Sequence, residues 1–577
     1  MGFKIELKDA VKQETIDQDK VLSPQETVRI FKRRTARLNL DILNKTERID
    51  NGRIGIPVFF SQCGMDAKKI IGTNKQMGKG ATPEQAEASA VMELAERFSF
   101  FSFMNDPGNF IIDTCENLGK RALPFSMILK SVHDETGDNA AKKKIFESLP
   151  LKWSRGYNLT QKKEVLVPFD WFYMINEFNG SCAGNCVEEA ISQGICEVVE
   201  RHVSSLVSRK KLKVPGIDPD SAKDPMVKEM LEKYRKAGIT LHISDFTNDM
   251  GIPTVGVMAY DRTTFPVLSE IVWTAGTTPG PEKALSRALS ETAQLAGDFN
   301  TGSNFVASGL PKFTSLDQAR YITLPEKIIP LSDLPDRSDM NIKVEVERLV
   351  AQLAKRGMDV IVMDVKHKGL NIPAFYTIIP GAHFRERAAD ASVGMFSARL
   401  ITEKFDPEKA LIRLDQVEAL LPGQYYTNFY KGLSFLSLGD NAAAAAQFKQ
   451  ALALDPAQAN IPDICSYMGL CLKDMEQYEE ALEILLKGAE IDGQRTDIHN
   501  LIGFCHFKMK NYKKAIKSFK RIIALDPGSA IDYANIASNY RDMGDSDAAV
   551  KYYEMALEID PGIDFARQSL AALKSGS

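Results

Sequence analysis

Three stretches of this sequence carry acids and amides at helical spacing. The first holds Ser89, Glu93, Glu96 and Arg97. The second holds Asn185, Glu189, Gln193, Glu197, Glu200 and Arg201, and the third Arg287, Glu291 and Gln294. A helix turns by about 100° per residue, which places Glu189, Gln193, Glu197 and Glu200 within a sector roughly 80° wide. Ile191, Ile195 and Val198 then point the other way, as do Val91, Leu94 and Phe98 in the first stretch. Carboxylates crowded on one face repel each other unless cations lie between them. Hard divalent ions such as Mg2+ suit such clusters, and Mg2+ commonly arrives with nucleotide phosphates. Taken singly, each row reads equally well as the solvated face of an amphipathic helix. An acid pair three apart followed by arginine ends two of them, and that repetition favours a shared site.

The segments leading into these helices are short and small-residue rich. Gly78, Lys79 and Gly80 precede Thr82, a good N-cap, then Pro83 and Gln85 where a capping box wants them. The two glycines would let backbone approach a ligand, and Lys79 would meet a phosphate. On its own the turn reads as a plain one with a solvated lysine, and it is not a P-loop, since Gly80 stands where Ser or Thr should bind Mg2+. A loop from Asn179 to Asn185 enters the second helix, with Asn185 as cap or as polar ligand. Cys182 within it reads as a packing residue. Arg287 is placed to pair with Glu291 one turn on or to hold a polyphosphate. His202 and His383 lack metal-ligand spacing.

The elements that must position these residues differ between the two ends of the chain. At 577 residues, with 44% hydrophobic and 26% charged content, several soluble domains are expected. A net charge of -4 gives no footprint for nucleic acid, and no apolar run is long enough for a membrane span. Eight scattered cysteines and no signal peptide point to free thiols and a cytoplasmic location. Apolar runs at 58–60, 165–167, 254–260, 271–273 and 360–363 read as strands around the acidic helices, hence a mixed α/β, or α+β, domain over 51–390. Residues 1–50 form a separate N-terminal segment, polar and loosely ordered at its start, and 391–423 a linker. From 424 to 577 small residues recur at Gly432, Gly469, Gly503 and Ala537. Each is followed by Ala444, Ala481, Ala515 or Ala549, and then by Phe448, Leu485, Phe519 or Tyr553. This period matches the tetratricopeptide repeat, an all-α solenoid, with a small insertion near Asn460 and a capping helix from Ile563 to Lys574.

Together these motifs resemble the YcaO family over roughly residues 50–390. Its Gly-Lys-Gly turn and Ser-x-x-x-Glu-x-x-Glu-Arg helix are matched by Lys79, Ser89, Glu93, Glu96 and Arg97. Its Ala-Gly-Asn loop and following helix are matched by Asn185, Glu189, Gln193, Glu197, Glu200 and Arg201. Its Arg-Ala-x-x-Glu-x-x-Gln helix is matched by Arg287, Glu291 and Gln294, and its late Pro-Gly by Pro380 and Gly381. The resemblance implies an ATP- and Mg2+-binding domain that phosphorylates the oxygen of a peptide backbone amide. A thiol, hydroxyl, sulfide or amine then adds to the carbon and phosphate leaves. By analogy Glu93, Glu96, Glu197, Glu200 and Glu291 serve Mg2+. Lys79, Ser89, Asn185, Glu189, Gln193, Arg201 and Arg287 serve nucleotide, with Arg201 and Arg287 also acting in catalysis.

Azoline-forming members typically end in a proline-rich tail, whereas this sequence ends in Leu573, Lys574, Ser575, Gly576 and Ser577 behind its repeats. The family's Gly-x-Gly-x-His element reads Gly276, Thr277 and Thr278 here, and no leader-peptide-binding domain is fused at the N-terminus. The expectation is therefore thioamidation-like modification of a peptide or protein. The alternative is an accessory factor for an enzyme such as a ribosomal-protein methylthiolase. Expected partners are the peptide substrate, a protein in the tetratricopeptide groove and a second copy of the chain.

Overall fold

The computed structural model describes residues 3–13, 19–132, 134, 137–302, 310, 312–382 and 391–575, so His383 lies outside the described residues. The chain divides into two compact units, one of residues 1–135 and 150–392, the other of 136–149 and 393–577.

The first unit holds three sheets. The smallest is antiparallel, in the order Leu43–Arg48, Val58–Cys63, Lys75–Lys79. A five-stranded sheet runs Val272–Thr277, Thr254–Asp261, Ile239–Asp245, Gly216–Asp218, Ile328–Pro330, parallel only in its last pair. The third runs Ile111–Asp113, Leu151–Asn158, Ile361–Asp364, Ala374–Ile378, Ser181–Ala183, with Lys163–Pro168 on the free edge of Leu151–Asn158. Thr254–Asp261 is buried along its whole length: Val255, Val257 and Ala259 share a core with the helices Pro225–Lys236 and Pro281–Ala296, while Gly256 on the opposite face lies against the Phe246 ring. Such double burial is why its sequence reads as a continuous apolar run rather than an alternating one.

Three long helices carry the acidic rows. Pro83–Asn105 packs on the three-stranded sheet, Pro281–Ala296 on the five-stranded sheet, and Val187–Lys210 between the six-stranded sheet and the end of the five-stranded one. Thr82 caps the first through its hydroxyl, which accepts from the Gln85 N–H. The Gln85 side chain reaches back to the Ala81 N–H at 3.0 Å, closing a capping box one residue early. Cys186, not Asn185, caps the second helix, its sulfur accepting from the Glu189 N–H. The Asn185 side chain is engaged elsewhere: its amide Oδ1 accepts from the Thr27 hydroxyl at 3.1 Å.

Gly78 and Gly80 serve packing rather than ligand approach. A Cβ on Gly78 would collide with the Ala86 carbonyl and the Ala90 backbone nitrogen, and one on Gly80 would lie 2.7 Å from the Ala86 nitrogen. Gly276 meets the next helix in the same way, at the Ala284 carbonyl and, at 2.7 Å, the Ala288 nitrogen. These contacts reveal an internal repeat. Each strand, Lys75–Lys79, Ser181–Ala183 and Val272–Thr277, ends four residues before its helix begins. Each helix then has Glu second (Glu84, Glu188, Glu282), Ala fourth (Ala86, Ala190, Ala284) and Glu eleventh (Glu93, Glu197, Glu291).

The N-terminal segment is ordered where it is described. Val11 bridges Asn341, Ile342 donates to the Ala10 carbonyl, and Lys12 forms a 2.6 Å ion pair with Glu345, both side chains under 10% exposed.

The second unit is helical. Four helix pairs, from Tyr425–Ser437 with Asn441–Ala453 to Ala530–Asp542 with Ser546–Ile559, are followed by Asp564–Ser575. A Cβ on Gly432, Gly469 or Gly503 would fall 2.5–2.7 Å from Phe448, Leu485 or Phe519, so the small residue fixes how closely the two helices of each pair approach. The insertion near Asn460 forms a 3-10 turn, Gln458–Asn460. The stretch expected as a linker holds two helices, Val393–Lys404 and Pro407–Leu420, because Pro407 opens a helix after Asp406 instead of breaking one. The helix Asn139–Glu147, inserted from the sequence of the first unit, packs against both.

Candidate functional site

The repeated strand–turn–helix motif brings the eleventh and fourteenth residues of its helices to one place. Glu93 and Glu96 come from the first helix, Glu197 and Glu200 from the second, and Glu291 from the third. Four cations stand among these five carboxylates. Arg97 lies 2.9 Å from Glu96 and 3.7 Å from Glu93, and Arg201 lies 3.9 Å from Glu197. Arg287 reaches across to Glu200 at 3.6 Å, while Lys79 pairs with Glu291. The helical pair that spacing allows between Arg287 and Glu291 is thus replaced by two pairs that join different elements.

Smaller groups fix these side chains. The Ser181 hydroxyl donates to Glu96 at 3.0 Å and accepts from Arg97 at 3.3 Å, and the Arg97 guanidinium lies 4.0 Å from the Phe178 ring centre. The Cys182 thiol and the Gly180 N–H both point at Glu197, at 3.5 and 3.4 Å. Glu200 is buried and accepts the Thr277 N–H at 3.0 Å, tying the second helix to the strand that leads into the third.

Burial dominates the electrostatics. It pushes Glu96 up to about 8; Arg97 opposes the shift, while Glu197 and Glu93 add to it. Glu93 is raised by burial against the pull of Arg97 and Lys79. Burial, reinforced by the Arg287 charge, pulls the Lys79 ammonium down to about 8. Burial likewise holds the Cys182 thiol well above its ordinary value, with Glu197 and Glu96 adding to it, which suits a packing residue and not a nucleophile.

The remaining expected residues lie toward the N-terminal ends of the helices. Ser89 is half-buried one turn before Glu93. Glu189 accepts the Val21 N–H at 2.6 Å and the Asn185 N–H at 2.9 Å, and Glu188 accepts the Lys8 N–H at 2.6 Å. Glu189 and Gln193 line a cavity of about 440 Å³ with Lys12, Lys20, Lys283 and Ser286. Sequence reasoning gave no role to Ser181 or to the Thr277 N–H, and matched Arg97 without assigning it one. Register against the other two helices finds Arg97, which stands where Arg201 does; no sequence pattern marks Ser181.

Among the described residues no three His, Cys, Asp or Glu side chains converge closely enough to hold a metal by themselves. The donor set still fits Mg2+. Glu93, Glu96 and Glu197 lie close enough to feel one another's charge, and Mg2+ is usually held by one or two carboxylates together with phosphate oxygens and water. No helix among the described residues is long and apolar enough to cross a membrane.

The family model described as YcaO cyclodehydratase, ATP- and Mg2+-binding, matches residues 77–383, and tetratricopeptide-repeat models match 406–460 and 494–561. An uncharacterized protein of Methanothermobacter thermautotrophicus is 28% identical over 383 residues, covering 62% of this chain and 93% of that one. Among solved structures, the YcaO protein of Methanopyrus kandleri bound with AMPPCP and Mg2+ is 21% identical with a TM-score of 0.51, covering 67% of this chain and 97% of that one. A heterocyclase in complex with substrate and cofactor is 21% identical with a TM-score of 0.54, covering 66% of this chain. This chain spans only 55% of that heterocyclase's length. With its mixed α/β unit, its convergent acidic helices and a matching model over more than half its length, the chain belongs to the YcaO family of ATP- and Mg2+-binding proteins, here joined to tetratricopeptide repeats.

Proposed function

We propose that this protein uses ATP to activate a backbone amide of a peptide or protein, with a thioamide as the product. The observation that carries the reading is the ion-pair arrangement: five carboxylates and four cations, three of the pairs at 3.6–3.9 Å, longer than a strong charge-assisted hydrogen bond. Such loose pairs exchange readily when a nucleotide brings phosphate for the cations and Mg2+ for the acids. Glu93, Glu96 and Glu197 would hold Mg2+, with Glu200 and Glu291 beside them. Mg2+ supplies charge neutralisation and orientation of the phosphates.

Lys79, Arg201 and Arg287 would turn from their carboxylates to the phosphate oxygens, where the arginine fork suits bidentate contact. The half-buried Ser89 and the cavity lined by Glu189 and Gln193 would take the rest of the nucleotide, with Asn185 shaping its entrance. The amide oxygen attacks the γ-phosphorus and ADP leaves. Hydrosulfide then adds to the amide carbon, and phosphate departs carrying the former amide oxygen. Phosphoryl transfer asks mainly for positioning and charge stabilisation, which this site is built to give. The tetratricopeptide unit would recruit the substrate or its partner.

The test is Mg2+-dependent ATP hydrolysis by the full chain and by Glu197→Gln, with Mg2+ binding measured separately. Loss of hydrolysis and weaker Mg2+ binding are expected in the variant. Equal rates and equal binding would remove the metal role of Glu197. ATP binding without any turnover in the presence of sulfide and candidate peptides would favour an accessory role instead.

A further inference from the structure

The second helix of the third repeat pair and the turn before it carry an unusual run of charge. Lys508, Lys510, Lys513, Lys514, Lys517, Lys520 and Arg521 are all exposed, and no acid occurs from 508 to 525. Lys513 with Lys517, and Lys517 with Arg521, are each four apart on the helix, a spacing at which like charges destabilise it. Among the described residues no carboxylate comes within ion-pair distance of any of the seven. Lys508 lies over the Phe504 ring, Lys520 donates to the Tyr540 hydroxyl at 3.4 Å, and Arg521 donates to the Gly493 carbonyl at 3.3 Å. The ion pairs nearby, Arg495 with Asp463 and Asp497, and Lys574 with Glu554, leave out all seven.

The flanking helices have the opposite sign. Glu479, Glu480, Glu483 and Glu490 are exposed on Tyr478–Ile491, and Asp547, Glu554 and Glu558 on Ser546–Ile559. We propose that the exposed face of Tyr512–Leu525 is a docking surface for a short acidic segment of a partner protein, one rich in Asp or Glu. The helix is about 20 Å long, enough for roughly four turns of an acidic helix laid beside it. The acidic borders argue against nucleic acid, because a phosphate backbone tracking across the array would run onto carboxylates on either side. The balance of charges points the same way. Six of the seven are lysines, point charges without the planar fork that favours phosphate. The aromatic rings at the edge of the patch, Tyr540 and Tyr552, are already covered by Lys520 and offer no stacking platform for bases.

Fluorescence anisotropy with the full chain tests this, using a labelled helical peptide with Glu at every third or fourth position and, separately, a single-stranded RNA of similar charge. The peptide is expected to bind in a salt-dependent manner. Lys513→Glu combined with Lys517→Glu should weaken it by at least about tenfold, while Lys551→Glu on the neighbouring helix should not. These side chains are exposed, and circular dichroism and thermal unfolding of each variant confirm that its fold is intact. Equal peptide binding by the wild-type chain and the double variant would overturn the proposal, as would tighter binding of the RNA than of the peptide.

Discussion

The helix Asn139–Glu147 makes the obvious dissection of this protein fail in a definable way. A chain ended after Ser392 removes the helices Val393–Lys404 and Pro407–Leu420, against which Asn139–Glu147 packs. Ile145 and Phe146 are 4% and 0% exposed in the intact chain. Uncovering a large apolar side chain costs about 1.5–3 kcal/mol, so losing the cover of both costs about 3–6 kcal/mol. That is a large share of the roughly 5–15 kcal/mol that stabilises a typical domain. The chain ended after Ser392 should therefore bind a hydrophobic dye, aggregate on warming and unfold several degrees below the intact first unit. Replacing 136–149 in the same truncated chain with a Gly/Ser linker of equal length should cure all three. Thermal unfolding by circular dichroism and dye fluorescence on the two chains decides the matter. If the simple truncation unfolds as cooperatively and as late as the linker version, with no extra dye bound, then Asn139–Glu147 does not depend on the repeat unit. Only the linker version is suitable for asking whether the repeats recruit substrate, since loss of ATP turnover in the other would report misfolding.

Three further outcomes follow from particular contacts. Gly78→Ala places a methyl against backbone atoms of Ala86 and Ala90, where no rotamer change gives relief, and should cost about 3 kcal/mol, the upper end of ordinary overpacking; an unchanged urea midpoint would refute the close strand–helix approach. Gly469→Ala meets only side-chain atoms of Leu485 and should cost less, about 1–2 kcal/mol, read as a lower melting temperature for the repeat unit alone. Burial alone would raise the Asp261 carboxyl, but hydrogen bonds from Thr263 and Arg53 outweigh it and hold the group down to about 2, from 3.8. Its stabilising contribution is present above pH 3.8 and lost as pH falls toward 2. Urea midpoints of Asp261→Asn should therefore lie below wild type near neutrality and converge with it in acid; a constant gap would sink the assignment.

Strands with continuous apolar runs, such as Thr254–Asp261, were legible because both faces are buried. Lys75–Lys79 was not, since only Gln76 and Gly78 face inward and a glycine contributes no hydropathy. The helices over 393–420 were hidden by Pro407, which breaks a helix in its interior but opens one at its first turn. Asn139–Glu147 announces an apolar face in Ala141, Ile145 and Phe146, yet nothing in a local pattern says which distant element covers it. At the site, the acids were visible by spacing while their partners were not. Periodicity assigns Arg287 and Glu291 to each other, because a sequence displays neighbours along one helix and conceals those across a gap. Ser181 illustrates the same limit: its position beside Glu96 and Arg97 depends on how the strand Ser181–Ala183 docks against Pro83–Asn105.

The internal repeat explains why the acids converge at all. A strand, a tight turn and a helix with Glu at its eleventh position occur three times, and each helix is pressed onto its surroundings by a glycine that admits no Cβ: Gly78 under the first, Gly184 before the second, Gly276 under the third. The copies then diverge at matching helical positions. The seventh helical position is Ser89, Gln193 and Arg287; the fourteenth is Glu96, Glu200 and Gln294. The last strand position before each turn is Lys79, Ala183 and Thr277, supplying an ammonium in one copy and a backbone N–H for Glu200 in another. One geometry used three times thus delivers equivalent backbone positions, and substitution at those positions sorts them into acids and cations. Arg287 of the third copy pairs with Glu200 of the second, and Lys79 of the first with Glu291 of the third, so each of these ion pairs also ties two copies together. The cost of gathering five carboxylates is met by the same contacts that hold the three copies in register.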